Sequence, residues 1–123
     1  MPEANAAPAD PVAAIIQAFR AELHDPDRPL SLLVRFEVKE ADAAKVEAAF
    51  TRAVPLTRKE PGAIVFTLNR DSRDPGRFVV FEQWRSLDDL EAHLRTDYIT
   101  RLRRELDEVI VGAPEFRVLV PAG

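Results

Sequence analysis

Hydrophobic and polar residues alternate along this chain with two different periods, and each change of period marks an element. Val12, Ile15, Ile16, Phe19 and Leu23 recur at helical spacing behind Asp10-Pro11. Aspartate accepts from the first free N–H groups, and proline suits the first helical position. The spacing predicts a short amphipathic helix ending near His24. Asp25-Pro26-Asp27-Arg28-Pro29 reads as a rigid connector. The period then drops to two. Leu32, Val34, Phe36 and Val38 alternate with Leu33, Arg35 and Glu37, which predicts a strand with one fully apolar face. A helix follows, with Val46, Ala49, Phe50 and Ala53 on one stripe, and Pro55 is expected to end or kink it.

Glu60-Pro61-Gly62 is a turn. Strands are expected over Ala63 to Arg70 and Arg77 to Arg85, with the turn-rich Asp71-Ser72-Arg73-Asp74-Pro75-Gly76 making them a hairpin. Ser86 caps the next helix, with Asp88 and Asp89 in its first turn. Thr96 or Asp97 restarts it after a break, and Ile99, Leu102, Leu106 and Val109 carry helical period to Ile110. Arg101 with Glu105, and Arg104 with Glu108, are spaced for ion pairs on the wet side. Gly112-Ala113-Pro114 stops the helix, and Phe116, Val118 and Val120 alternate in a last strand.

The order is β-α-β-β-α-β after an extra N-terminal helix. It implies an α+β, ferredoxin-like antiparallel sheet with both core helices on one face. Residues 1–29 read as a tail, short helix and connector, and residues 30–121 as the domain. The third strand sets Phe78, Val80, Glu82 and Trp84 on one face and Val79, Phe81 and Gln83 on the other. Both faces carry apolar bulk, whereas a sheet open to water shows one polar side. Either a second subunit or the N-terminal helix must cover the far face, and sheet-to-sheet homodimerisation is the favoured solution.

Composition narrows the function. The chain has 123 residues, 46% of them hydrophobic and 31% charged, with net charge −4. An acidic balance disfavours nucleic acid and anionic membrane surfaces as partners. With no cysteine there is no disulfide, thiolate nucleophile or Cys-bound metal. No apolar run is long enough for a membrane helix, and no cationic, apolar leader opens the chain, so a soluble cytoplasmic protein is expected. The two histidines, His24 and His93, are far apart and make a poor metal site. No glycine-rich phosphate loop or nucleophile elbow is present.

Glu60-Pro61-Gly62, Phe66, Asp71, the run from Arg77 through Phe81-Glu82-Gln83-Trp84 to Ser86, Leu90 and Ala92-His93-Leu94 together resemble the antibiotic biosynthesis monooxygenase family, a group of dimeric α/β barrels. The likeness covers about Leu30 to Val120. It implies a homodimer that oxygenates a small aromatic substrate, phenolic, quinol or polyketide-like, through the substrate's own electron-rich ring and without a cofactor. Relatives in the superfamily also degrade haem, isomerise small phosphorylated sugars or have no known activity, so a binding module and a cofactor-free isomerase stay open. The haem-degrading pattern is not met: His93 stands where that branch has a second tryptophan, and Arg103 where it has the iron-binding histidine, which an arginine cannot replace. The chain departs from the common family pattern at Pro55, at Asp97-Tyr98-Ile99 and in its additional helix.

Within that reading His93 is the candidate base, since an imidazole titrates near neutral pH. Its alternative role is structural, with a bond to a backbone carbonyl. Trp84, Phe66 and Tyr98 would enclose the ring. Glu82 would contact substrate, or serve as a base if burial raised its pKa. Its alternative is an ion pair, with Arg35 as candidate partner. Arg35 and Asn69 would steady a developing oxyanion, the alternative being surface or dimer-interface roles. His24 is expected in solvent.

Overall fold

A computed structural model describes residues 10–123, and the stretch 1–9 read above as a loose tail lies outside the described residues. The elements run α1 (Pro11–Arg20), β1 (Leu30–Glu37), α2 (Ala43–Thr57), β2 (Ala63–Arg70), β3 (Arg77–Trp84), α3 (Leu87–Leu94), α4 (Asp97–Asp107) and β4 (Glu115–Leu119), with a 3-10 turn at Glu40–Asp42 before α2. The sheet has the order β2-β3-β1-β4, with every neighbouring pair antiparallel. This is the ferredoxin-like α+β arrangement the pattern implied, with the extra N-terminal helix in place.

The capping residues act as their types suggest. Asp10 accepts from the Ala13 N–H at 3.1 Å, Ser86 from Asp89 N–H and Thr96 from Ile99 N–H. The Thr96 cap separates α3 from α4, which is why one helical pattern folds as two rods. Three boundaries differ from expectation. α1 stops at Arg20 rather than His24, and Ala21 to Leu23 form turns closed by bonds to Gln17, Phe19 and Arg20. Pro55 neither ends α2 nor breaks it, and the helix continues to Thr57. Proline costs one intrahelical bond, and this close to the C-terminus little helix remains to lose. α4 ends at Asp107, short of Ile110, which instead bridges to Val38.

The register decides which strand face carries the core. Leu32 pairs with Glu82, Val34 with Val80 and Phe36 with Phe78 on β1 and β3, so these six share a face. Phe66 pairs with Glu82 and joins them from β2, just beyond a register shift between Ala63 and Val65. This face meets the helices, and Leu30, Leu32, Phe36, Phe66, Phe78, Val80 and Trp84 are all buried in one cluster with residues of α1, α2, α3 and α4. Stacked rings of Phe36, Phe50, Phe66 and Phe78 run through it.

α1 lies on the helix side. Val12, Ile16 and Phe19 enter the core, Phe19 meets Phe116 of β4, and Asp10–Arg95 and Arg20–Asp88 ion pairs tie the helix to α3. It therefore does not cover the far face of the sheet. That face carries Leu33, Val65, Val79 and Phe81, partly buried, among Arg35, Thr67, Asn69 and Gln83.

Candidate functional site

The Glu60-Pro61-Gly62 turn is pressed against the start of α3. A Cβ on Gly62 would sit 2.2 Å from the Asp89 side chain, so only glycine allows this approach. The Arg85 N–H donates to the Gly62 carbonyl at 2.9 Å, and Asp89 binds Arg85 through two hydrogen bonds. With the turn held there, Glu60 reaches the last turn of α3. His93 Nδ1 donates to Glu60 Oε2 at 3.0 Å, and the Tyr98 hydroxyl of α4 donates to the same oxygen.

His93 is 2% exposed. Trp84 lies against it at a ring separation of 4.5 Å and Phe66 at 5.3 Å. A carboxylate only accepts, so the proton of a neutral His93 is drawn to Nδ1 and Nε2 keeps its lone pair. Nε2 has no hydrogen bond among the described residues. Burial, and next the bond to Glu60, push the Tyr98 hydroxyl up to about 12, so it stays a donor through the physiological range.

Glu82 is the second carboxyl beside the imidazole. It is buried and accepts from Trp84 Nε1 at 2.9 Å. Burial raises its pKa above the ordinary carboxylate range. The fields of His93 and of the Trp84 bond oppose that rise, and the charge of Glu60 adds to it. One imidazole thus sits between an orienting carboxylate and a carboxyl disposed to hold a proton.

His93 and Glu82 face a cavity of about 210 Å³ between sheet and helices, whereas Glu60, Tyr98 and the fully buried Trp84 are not on its lining, so Trp84 and Tyr98 do not enclose a ring there as expected. Phe66, Val80, Glu82 and His93 line its closed end, while Ile15, Arg103, Asp107, Pro114 and Phe116 surround the more exposed mouth. The walls are otherwise almost wholly apolar. A cavity with a few convergent polar groups is the usual form of a small-molecule site. Among the described residues, no three His, Cys, Asp or Glu side chains cluster as a metal site, and no helix is long and apolar enough to cross a membrane.

The structure brings His93, Trp84, Phe66, Glu82 and Tyr98 together. It does not bring Arg35 or Asn69 to them. Both lie on the opposite face of the sheet, where Arg35 pairs with Glu115 at 2.6 Å and the Asn69 amide donates to Thr67 and to the Val79 carbonyl. The suggested Arg35–Glu82 ion pair is therefore ruled out by the alternation of the strands. His93 binds a carboxylate, not the backbone carbonyl of its alternative role. Of the two spaced pairs on α4, Arg101–Glu105 is present at 3.6 Å, whereas Arg104 and Glu108 form none. His24 is exposed as expected.

Glu60 is the residue that sequence reasoning passed over, because it was absorbed into the turn. The available signal was an acidic residue opening a turn against the helix that carries the only histidine of the domain.

The Glu60–His93 pair and the buried Glu82 carboxyl, beside an apolar cavity on a ferredoxin-like sheet, make up the candidate site. The comparisons specify the family. The profile of the antibiotic biosynthesis monooxygenase family matches residues 29–105, and the chain belongs to that family. A solved structure from Caulobacter crescentus CB15, named for the same family, is similar at 27% identity and a TM-score of 0.75 over 85% of this chain and 99% of that one. An antibiotic biosynthesis monooxygenase crystal structure matches at 24% identity and 0.72, covering 76% and 99%. PA3566 from Pseudomonas aeruginosa matches at 24% and 0.72, covering 80% and 98%. No curated protein matches the chain.

Proposed function

We propose that this protein is a cofactor-independent monooxygenase that oxidises a small phenolic or quinol substrate in the cavity beside His93. The observation that carries the reading is the Glu60–His93 pair, with Nδ1 bound and Nε2 free. His93 takes the hydroxyl proton of the substrate, and Glu60 stabilises the imidazolium that forms. The resulting phenolate is electron-rich at its ring carbons, and one of them forms a C–O bond with dioxygen. The hydroperoxide then loses water as the ring C–H proton leaves, giving a quinone. Phenol plus O₂ becomes quinone plus water, so the substrate supplies all four electrons and no external reductant is needed. Glu82, held toward its protonated form by burial, is the group suited to protonate the departing oxygen. Trp84 and Phe66 hold His93 in place, and Phe66 also forms part of the cavity wall.

Purified metal-free protein should consume oxygen with a member of a panel of monocyclic phenols and quinols, and His93→Ala should slow that uptake by about 10²-fold or more. Uptake unchanged in the variant removes His93 as the base. No uptake with any of the panel sinks the oxygenase reading and favours a binding module.

We also infer a homodimer through the open sheet face, supported by Leu33, Val65, Val79 and Phe81 on a face that α1 leaves uncovered. Light scattering at micromolar concentration should report a dimer, and Phe81→Asp should report a monomer. A wild-type monomer refutes the inference.

A further inference from the structure

We infer that the substrate carries a carboxylate at the end remote from its reacting hydroxyl, and that Arg103 at the cavity mouth recognises it. The inference rests on the phenol-binding reading of the site, but not on the oxygen chemistry.

The first observation is the state of Arg103 itself. It is partly buried on α4 and lines the cavity. Among the described residues it has no ion pair or hydrogen bond. The other basic side chains without such a partner, Arg28, Lys39, Lys59, Arg73, Arg104 and Arg117, are all exposed. Among the described residues, Arg103 is thus the one unpaired cation that is also drawn partly out of water. A guanidinium in that position loses hydration without gaining an anion, and its fork of donors matches a carboxylate.

The second observation is the size and polarity of the space it overlooks. An engineered apolar cavity of about 150 Å³ holds benzene. The cavity here, at about 210 Å³, has room for one ring and a short substituent rather than for a fused polycycle. A hydroxyl placed at His93 occupies the closed end. The ring then lies between Phe66, Val80 and Leu102, and the opposite substituent emerges beside Arg103. Arg103 is the only arginine or lysine on the lining, so an anion in the cavity has one cation to meet.

Asp107 lies one helical turn farther on and shares the mouth. It is exposed, so water screens its repulsion of an anion more than it screens the attraction of the half-buried Arg103. Its removal should therefore strengthen binding of a carboxylate, and removal of Arg103 should weaken it.

The test is calorimetric binding under nitrogen, with (4-hydroxyphenyl)acetate and 4-methylphenol as probes. The two share the phenol and differ in the carboxylate. The acid should bind about tenfold more tightly, as a charge-assisted pair of moderate strength implies. Arg103→Gln should erase that preference while leaving 4-methylphenol binding unchanged. Arg103→Lys should restore part of it, and Asp107→Asn should increase it. Equal affinities in the wild type, a preference that survives Arg103→Gln, or no binding of either phenol would each overturn the proposal. A preference that behaves as expected in protein that shows no oxygen uptake would support the site while refuting the oxygenase.

Discussion

The closed end and the mouth of the cavity are built on different physical principles. At the closed end His93 and Glu82 line the cavity, and with Glu60, Tyr98 and Trp84, which do not line it, they hold one another through hydrogen bonds and ring contacts. All five lie inside the span matched by the family profile, residues 29–105. The mouth has no such polar network. Apart from Arg103, which lies inside that span, its residues fall outside: Ile15 and Phe19 come from α1, Asp107, Ile110, Pro114 and Phe116 from beyond residue 105, and Phe116 is 50% exposed. A networked polar cluster in a low-dielectric site resists reorganisation, so it can keep one acid–base geometry. A mouth held by apolar packing and single charges can be remodelled without touching the chemistry. Under the proposed function, reaction type would belong to the first region and substrate choice to the second.

The largest expected effect breaks the closed end. His93→Ala should reduce the rate constant of oxygen uptake by about 10²–10⁴-fold, the usual share of a positioned base. Glu60→Gln should cost less, because it keeps the contact but removes the charge opposite the imidazolium. About 1.5–3 kcal/mol of charge-assisted bonding corresponds to a roughly ten- to hundredfold fall in kcat. That fall should come with an altered pH profile and an unchanged KM. Equal losses in KM and kcat would mean that Glu60 only supports the fold.

Next in size is a change at the mouth. Phe19→Ala removes a buried ring that packs on Phe116, and phenylalanine truncation in a core costs about 3 kcal/mol or more. Denaturant unfolding should report that loss. If the two regions are separable, the folded fraction of the variant should retain kcat and lose affinity. A kcat that falls with the affinity would show that α1 also positions the base.

The two regions also differed in how far the sequence revealed them. The alternating strands and helical stripes were enough for the ferredoxin-like order, and Ala92-His93-Leu94 pointed to the histidine. Alternation separates two faces of a strand but does not identify which face meets the helices when both carry apolar bulk, as on β3. The cross-strand register supplied that answer, setting Glu82 opposite Leu32 and Phe66 and away from Arg35. Glu60 and His93 are 33 positions apart and meet only because Gly62 lets the turn touch α3. The stripe of α1 showed that one face is buried, but a stripe does not name its partner, and the helix packs over the cavity side rather than across the open sheet.

The smallest effect bears on the cost of the closed end. Burial raises the Glu82 pKa, so the folded state holds this proton to higher pH than the unfolded chain does. Between the ordinary carboxylate range and that raised value, the folded state binds more protons than the unfolded one. Stability contributed by Glu82 is therefore present at acid pH and falls as pH rises through this window. Glu82→Gln keeps an acceptor for Trp84 Nε1 and removes the ionisable group. The variant should unfold at a higher temperature than wild type at pH 7, with the gap shrinking toward pH 4, and it should oxidise substrate more slowly. A stabilised, slower enzyme would mean that the carboxyl is retained for its proton rather than for packing. A variant with the same melting temperature as wild type at both pH values would mean that the His93 field offsets the burial of Glu82, leaving Glu82 charged and unable to act as the acid.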